Sequence, residues 1–229
     1  ALRYAPILWP SAQHLDPELM QGLHVYKGKD YSGEIRIKHL LKQTSGLNDV
    51  FFPLLKKMIN DPKLEMSVKE ALEWGKANLQ PVSKPGQKHF YTDTNYYLLG
   101  LIVEKINKKP FHEVVHEMIF EPLEMNDSFI SGFSEPKNEA QFPPANITLS
   151  NINFMEDKRI AKIDYAGGGV VAPLSEFMVF MKALVNGQLV KETTLHQMIY
   201  DDVKMGFPAI GFDYGYSVWK PKAIPLLMP

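Results

Sequence analysis

Cysteine is absent from this 229-residue chain, which excludes disulfides, thiolate catalysis and cysteine-ligated zinc and leaves the redox compartment undecided. Charge of one sign is not in excess. The 25 basic and 26 acidic residues leave a formal net charge of −1, so there is no electrostatic case for nucleic acid or for a membrane surface as partner. No apolar run reaches the ~18 residues of a membrane-spanning helix, and no basic start followed by an apolar core marks a secretion signal. Repeats and low-complexity tracts are missing as well. The chain opens on Ala1 rather than Met, as processing or truncation upstream would leave it. What is present is apolar bulk: 45% hydrophobic and 11% aromatic residues can bury a sizeable core, as one large domain or two smaller lobes.

Pro6, Pro10 and Pro17 make the first 30 residues irregular. The spacing then predicts a short helix from Ile37 to Gln43, closed by Thr44-Ser45-Gly46 with Gly46 in a left-handed cap. Met66 to Leu79 carries Val68, Ala71, Leu72 and Trp74 at helical spacing, opened by a capping box of Ser67 and Glu70. Thr94 to Ile106 holds the period best, with Tyr97, Leu98, Leu101, Ile102 and Ile106 on one face. A polar, proline-containing stretch runs from Asn126 to about Arg159. AGGGVVAPLSEFMVFMKALVNGQLV (166 to 190) reads as a glycine turn and a helix, with Pro173 at its start and Gly187 just past its end. The glycines there suit a close backbone approach or unusual dihedrals. Tyr214 to Trp219 reads as a strand. The pattern is therefore mainly helical from about 35 to 125, with strands largely in the C-terminal third.

His112-Glu113-Val114-Val115-His116 spells the zinc-peptidase pattern H-E-x-x-H, in which two histidines share one helical face and the glutamate activates a metal-bound water. Phe111, Val114, Val115, Met118 and Ile119 define the buried stripe of that helix, and the histidines fall roughly 90° to 130° from its centre. They point toward solvent. Pro110 puts His112 at the helix start, no H-x-x-G-x-x-H continuation follows, and a third ligand would have to be Glu135 or Glu139 from a loop. A solvated helix face is the simpler reading, and a zinc peptidase the alternative.

IRIKHLLKQTSGL (35 to 47), PGQKHFYTDTNYYLLGLIVEKI (85 to 106), IFEPLEMNDS (119 to 128), the AGGG segment and YGYSVW follow one another in a characteristic order. In order and spacing they resemble the serine β-lactamase and penicillin-binding-protein superfamily, in the branch holding class C β-lactamases, D-alanyl-D-alanine carboxypeptidases and related esterases. The resemblance covers residue 20 to the C-terminus. It implies an α+β, mainly helical, β-lactamase/DD-peptidase-like fold, incomplete here, with residues 1–165 as the helical lobe and 166–229 as the return toward the α/β lobe. It also implies a structural helix without metal at residues 111–120, an extracytoplasmic location, and a small-molecule or peptide substrate with no cofactor.

The chemistry of that superfamily unites a Ser-x-x-Lys nucleophile, a Tyr-x-Asn group and a Lys/His-x-Gly strand lining the oxyanion site. Tyr91-Thr92-Asp93 stands at the middle motif, and the resemblance implies Tyr91 as general base or proton shuttle beside a lysine ammonium that favours the phenolate. Asp93 departs from the commoner Asn: a carboxylate keeps the acceptor and loses the amide donor. The residues alone leave a plainer alternative, with Asp93 or Thr94 capping the helix and Tyr91 packing. Ser134-Glu135-Pro136-Lys137 and Ser217-Val218-Trp219-Lys220 match S-x-x-K only as text, the first in a polar loop and the second in a strand. Lys84-Pro85-Gly86 and Lys204-Met205-Gly206 lie on the wrong side of their neighbouring motifs, and Ser45 reads as a structural turn residue. The expectation is an internal piece of a longer serine hydrolase whose nucleophile precedes Ala1. A noncatalytic binding relative is the runner-up.

Overall fold

The computed structural model describes residues 15–138, 143–149, 152–153, 155–205 and 211–222. Pro6, Pro10, Glu139 and Gly206 lie outside them. Helix α1 (Pro17–Met20) starts where Asp16 accepts the Glu18 amide at 3.0 Å, so Pro17 opens a helix rather than breaking one. A hairpin unforeseen in the sequence follows: β1 (Val25–Tyr26) and β2 (Lys29–Asp30) pair antiparallel around Lys27-Gly28, at φ 49° and 79°. Both positive dihedrals suit the twist of a two-residue turn.

The helical body comprises α2 (Ile37–Leu41), α3 (Phe51–Asn60), α4 (Val68–Asn78) and α5 (Asp93–Asn107). Helix α2 stops two residues before the expected end because Gln43 is itself left-handed (φ 56°), while Gly46 is left-handed too (φ 79°). The α4 capping box forms as its sequence indicates, Ser67 and Glu70 each bonding the other's backbone. Helix α3 buries Phe51, Leu54, Leu55 and Met58, a helical period present in the sequence but broken to the eye by Pro53. Tyr97 and Leu98 of α5 are fully buried against Ile35, Leu40, Leu54 and Leu72, so α5 is the central strut of the core.

Beyond Pro110, α6 (Phe111–Val115) passes into one π-helical turn (His116–Phe120). That turn advances the face by one residue, so Phe120 is buried and Met118 is 43% exposed, the reverse of the expected stripe. Strand β3 (Phe129–Ile130) and a short pair, β4 (Thr148–Leu149) with β5 (Ile152–Asn153), interrupt the polar stretch. Next comes α7 (Lys158–Gly168), which runs through the expected glycine turn and is broken internally at Tyr165 (φ 42°, ψ −117°). Strand β6 (Val170–Val171) pairs antiparallel with β3. Helix α8 (Leu174–Val185) follows Pro173 and ends two residues before a left-handed Gly187, with Asn186 as its cap, as its sequence indicates. Helix α9 (Glu192–Tyr200) then leads into β7 (Val203–Lys204), β8 (Phe212–Tyr214) and β9 (Trp219–Pro221), an antiparallel sheet in that order. Tyr214 to Trp219 is thus no single strand but the turn of a hairpin, closed by Gly215 N–H donating to Val218 O at 2.8 Å.

Candidate active site

The site is organised by a side chain far from it in sequence, the fully buried Gln43. Its backbone oxygen accepts from Phe90 N at 2.8 Å, and its side-chain oxygen accepts from Thr92 N at 3.0 Å and from Asn95 Nδ2. These bonds fix the approach to α5. Thr92 then caps the helix, its Oγ1 accepting the Thr94 amide at 3.1 Å, while Asp49 Oδ1 accepts from Thr92 Oγ1 and from Asp93 N, each at 3.0 Å. Thr94 donates from its hydroxyl to Asn48 O at 2.8 Å. Neither Asp93 nor Thr94 is the cap. Among the described residues nothing donates to the Asp93 carboxylate, which is left for other contacts.

Asp93 shares its surroundings with Asp164 of α7. Burial, then Asp49 and Asp164, push the Asp93 carboxyl up to about 6, and burial alone pushes Asp164 up to about 6. Gly167 and Gly168 stand where the backbone closes on these carboxyls: a Cβ on Gly167 would stand 3.3 Å from Asp93 Cγ, and one on Gly168 3.0 Å from Asp164 Oδ2.

Tyr91 is 44% exposed, with ring centroids 6.5 Å from Tyr96 and 6.3 Å from both Tyr214 and Trp219. The Tyr96 and Tyr214 hydroxyls are 2.7 Å apart. The hairpin that carries Tyr214 and Trp219 is tied down by Ser217 N–H donating to Leu41 O at 3.0 Å and Tyr216 N–H donating to Met198 O at 2.8 Å. Asp201 adds a third tie, accepting from Lys42 Nζ at 2.7 Å and from the Tyr216 hydroxyl. Burial, then Asp93, Tyr96, Asp164 and Asp49, push the Tyr91 hydroxyl up to about 12. The surroundings supplied by these residues therefore hold the proton on Tyr91 at neutral pH. A cation brought beside the ring would be needed to release it.

The other sequence candidates occupy structural positions. Ser45 is 1% exposed and its Oγ accepts the Leu47 amide at 3.1 Å. Ser134 Oγ accepts from Ile130 N and meets His116 Nε2, both at 2.9 Å. Ser217 sits in the hairpin turn at φ 60°, and Lys220 pairs with Asp202. Lys84 to Gly86 is a turn, its glycine at φ 79°. His112 and His116 do not point to solvent as expected; both are half-buried, His112 stacked on Phe133 at 5.9 Å and His116 edge-on to Phe120 at 4.9 Å. The 130–134 loop covers them, Phe133 lying on His112 and Ser134 meeting His116. Glu135 is exposed, and among the described residues no three metal-ligating side chains gather.

Asp49, Asp164 and Gln43 escaped the sequence reading because each meets the Tyr91 motif only through tertiary contact. Tyr214 and Trp219 were visible in the YGYSVW stretch, though as a strand.

The family description Beta-lactamase matches residues 4–221. The chain belongs to that family. Its curated relatives include a protein provisionally described as a D-alanyl-D-alanine carboxypeptidase from Salmonella schwarzengrund, 32% identical over 186 residues, a match covering 70% of this Beta-lactamase-family chain and 40% of the relative. The chain thus spans well under half the length of such relatives. A D-stereospecific amidohydrolase from Streptomyces sp. shares the fold at TM-score 0.72 and 20% identity, over 93% of this chain and 65% of that one. A penicillin binding protein from Bacillus halodurans does so at TM-score 0.65 and 24% identity, over 81% of this chain and 56% of that one. The mainly helical α+β architecture is therefore that of the β-lactamase and penicillin-binding-protein fold. Among the described residues no helix is long and apolar enough to cross a membrane.

Proposed function

We propose that the protein to which this chain belongs is a serine hydrolase that acts through an acyl-enzyme on a β-lactam, a D-Ala-D-Ala peptide or a simple ester. The observation that carries this reading is Tyr91, half-exposed at the start of the best-buried helix, with capping already performed by Thr92 and Asp49 and with Asp93 left uncommitted. Tyr91 is the proton shuttle and Asp93 a substrate contact. On this reading the nucleophile comes from outside this chain: of the candidates in the sequence, Ser134 lies in a loop and accepts a backbone amide, Ser217 sits in a hairpin turn, and Ser45 is committed to a backbone amide. The carboxypeptidase relative and the amidohydrolase fold support acyl transfer without choosing among substrates. On this reading residues 1–165 form the helical lobe and 166–229 return toward the α/β lobe.

Without a nucleophile the covalent step is lost, and loss of an oxyanion donor costs about a further hundredfold, on the order of 3 kcal/mol. The 229 residues alone should form no adduct with a fluorescent penicillin or a fluorophosphonate, read by mass spectrometry. The parent protein should be labelled on a serine upstream of Ala1. An adduct on Ser45 of the short chain would show the nucleophile misplaced, and an unlabelled parent carrying an upstream Ser-x-x-Lys would point to a noncatalytic binding protein.

A further inference from the structure

Only Ser175, Glu176 and Lys182 among the 12 residues of α8 are polar, a composition that belongs to a helix enclosed on most sides. Its inner face is enclosed. Phe180 packs on the cluster of Phe120, Met125 and Ile130, Ala183 is 1% exposed, and Glu176 accepts from the Asp127 amide at 2.9 Å and from the Ser128 hydroxyl at 2.6 Å. The outer face is open. Leu174, Phe177, Met178, Met181 and Val185 follow one another at helical spacing within an arc of about 100°, and they are 38% to 75% exposed. Among the described residues nothing closes over them.

A second copy of the chain is a poor occupant. Helix α8, 12 residues long, spans about 18 Å, and one helix face of that length offers on the order of 300 Å², against about 800 Å² buried by each partner in a stable association. A segment of the same polypeptide needs no such area, because the tether supplies its concentration. The shared fold takes in 65% of the solved amidohydrolase chain, which leaves part of that fold to residues outside this one. Position along the chain narrows the choice. Gly167 abuts Asp93, and Leu174 stands seven positions later, so at most about 24 Å of chain separates the stripe from the Tyr91 site, a distance that about 16 helical residues span. A stripe at helical spacing takes the ridges of another helix, whereas strands that follow β9 have the edge of β9 to pair with.

We infer that the outer face of α8 is the docking surface for the helix of the parent protein that carries the nucleophile, which lies along Leu174–Val185 with its serine end toward Tyr91. The inference rests on the serine hydrolase reading. On that reading the serine has to reach Tyr91, and Ser-x-x-Lys occupies one face of its helix, so the opposite face is left to be apolar and to meet α8.

Because the chain has no cysteine, Met178→Cys and, as an independent second position, Met181→Cys each place a single thiol on the stripe. Maleimide labelling rates are compared for the 229-residue chain and for the parent protein freed of any other cysteine, each also in denaturant, with circular dichroism as the check on folding. In the short chain both thiols should react within about tenfold of the denatured rate. In the parent both should slow by about a further hundredfold or more, since labelling then waits on the opening of a packed interface. Phe177→benzoylphenylalanine in the parent identifies the occupant: irradiation should join it to the Ser-x-x-Lys peptide upstream of Ala1, within one polypeptide. Thiols that stay fast in the folded parent, thiols already protected in the short chain, a crosslink to any other peptide, or a crosslinked dimer would each overturn the proposal. Penicillin labelling is read separately. A labelled parent with fast thiols refutes the packing alone, and an unlabelled parent with the upstream crosslink refutes the hydrolase reading alone.

Discussion

Asp164→Asn isolates the electrostatic cost of the candidate site. The half-buried carboxyl has its proton affinity raised from 3.8 to about 6, a shift of about two units, and each unit is worth about 1.4 kcal/mol. Because the folded-state value is the higher one, the folded chain binds more protons than the unfolded chain between these values. Stability contributed by this group therefore falls as pH rises from about 4 to about 6, and is flat above that. The full penalty at neutral pH is about 3 kcal/mol. Asparagine preserves the shape and carries no charge at any of these pH values. At about pH 7 the variant should be more stable by about 2–3 kcal/mol, or about 4–12 °C in Tm for a chain of this size, and at about pH 4 the gain should fall to about 0.5 kcal/mol.

The pH profile of the unmodified chain would hide this effect. His24, His39 and His89 are all held below their ordinary value by burial, His39 down to about 4, and their neutral forms are favoured in the fold. They remove stability as pH falls below 6.5, over the same window and with the opposite sign. The difference between variant and parent cancels them, since the histidines are common to both. Urea unfolding followed by circular dichroism across that range supplies the measurement. A variant gain that is equal at both ends, or a loss at neutral pH, would refute the reasoning.

Gly46→Ala should destabilise the chain by about 3 kcal/mol: φ 79° disfavours alanine, and its Cβ would lie 2.1 Å from Ser83 O. The 82–86 segment would have to move, breaking the bond from Val82 N to Gly46 O, and a Tm within 2 °C of the parent, roughly the resolution of 1 kcal/mol, would contradict it. His116→Ala should cost about 1–2 kcal/mol through the lost Ser134 bond and Phe120 contact, with no change in metal content. Stoichiometric zinc that survives dialysis in the parent and disappears in this variant would restore the metallopeptidase reading.

What could be read from the sequence was what short-range physics decides. The α4 box needs only Ser67 and Glu70, α5 declares itself by period, and α8 is bracketed by Pro173 and Gly187. What could not be read depended on partners distant along the chain. Helix α7 looked like a glycine turn because what its glycines accommodate is not visible locally: Gly167 lies against Asp93, 74 positions earlier in the numbering, and Gly168 against Asp164. The π turn looked like a regular helix because nothing local marks a change of register, and the histidine pair is half-buried because the 130–134 loop, distant in sequence, lays Phe133 and Ser134 against it. Left-handed Gln43 looked like one more helical residue, although its side chain is what aligns Thr92.

The Asp93 departure from the asparagine of the superfamily motif bears on the same electrostatics. In the proposed role, a carboxylate at this position would present only acceptors where an amide presents a donor as well. Burial, then crowding with Asp49 and Asp164, changes that balance as the pH falls, because a carboxyl raised to about 6 is protonated half the time near pH 6 and only about one-tenth of the time at pH 7. A protonated carboxyl offers one acceptor and one donor, the same complement that asparagine brings to a single substrate group. The arrangement that lowers stability at Asp164 is thus the one that returns a donor at Asp93 below about pH 6, with the glycine backbone of α7 pressed close to both carboxyls.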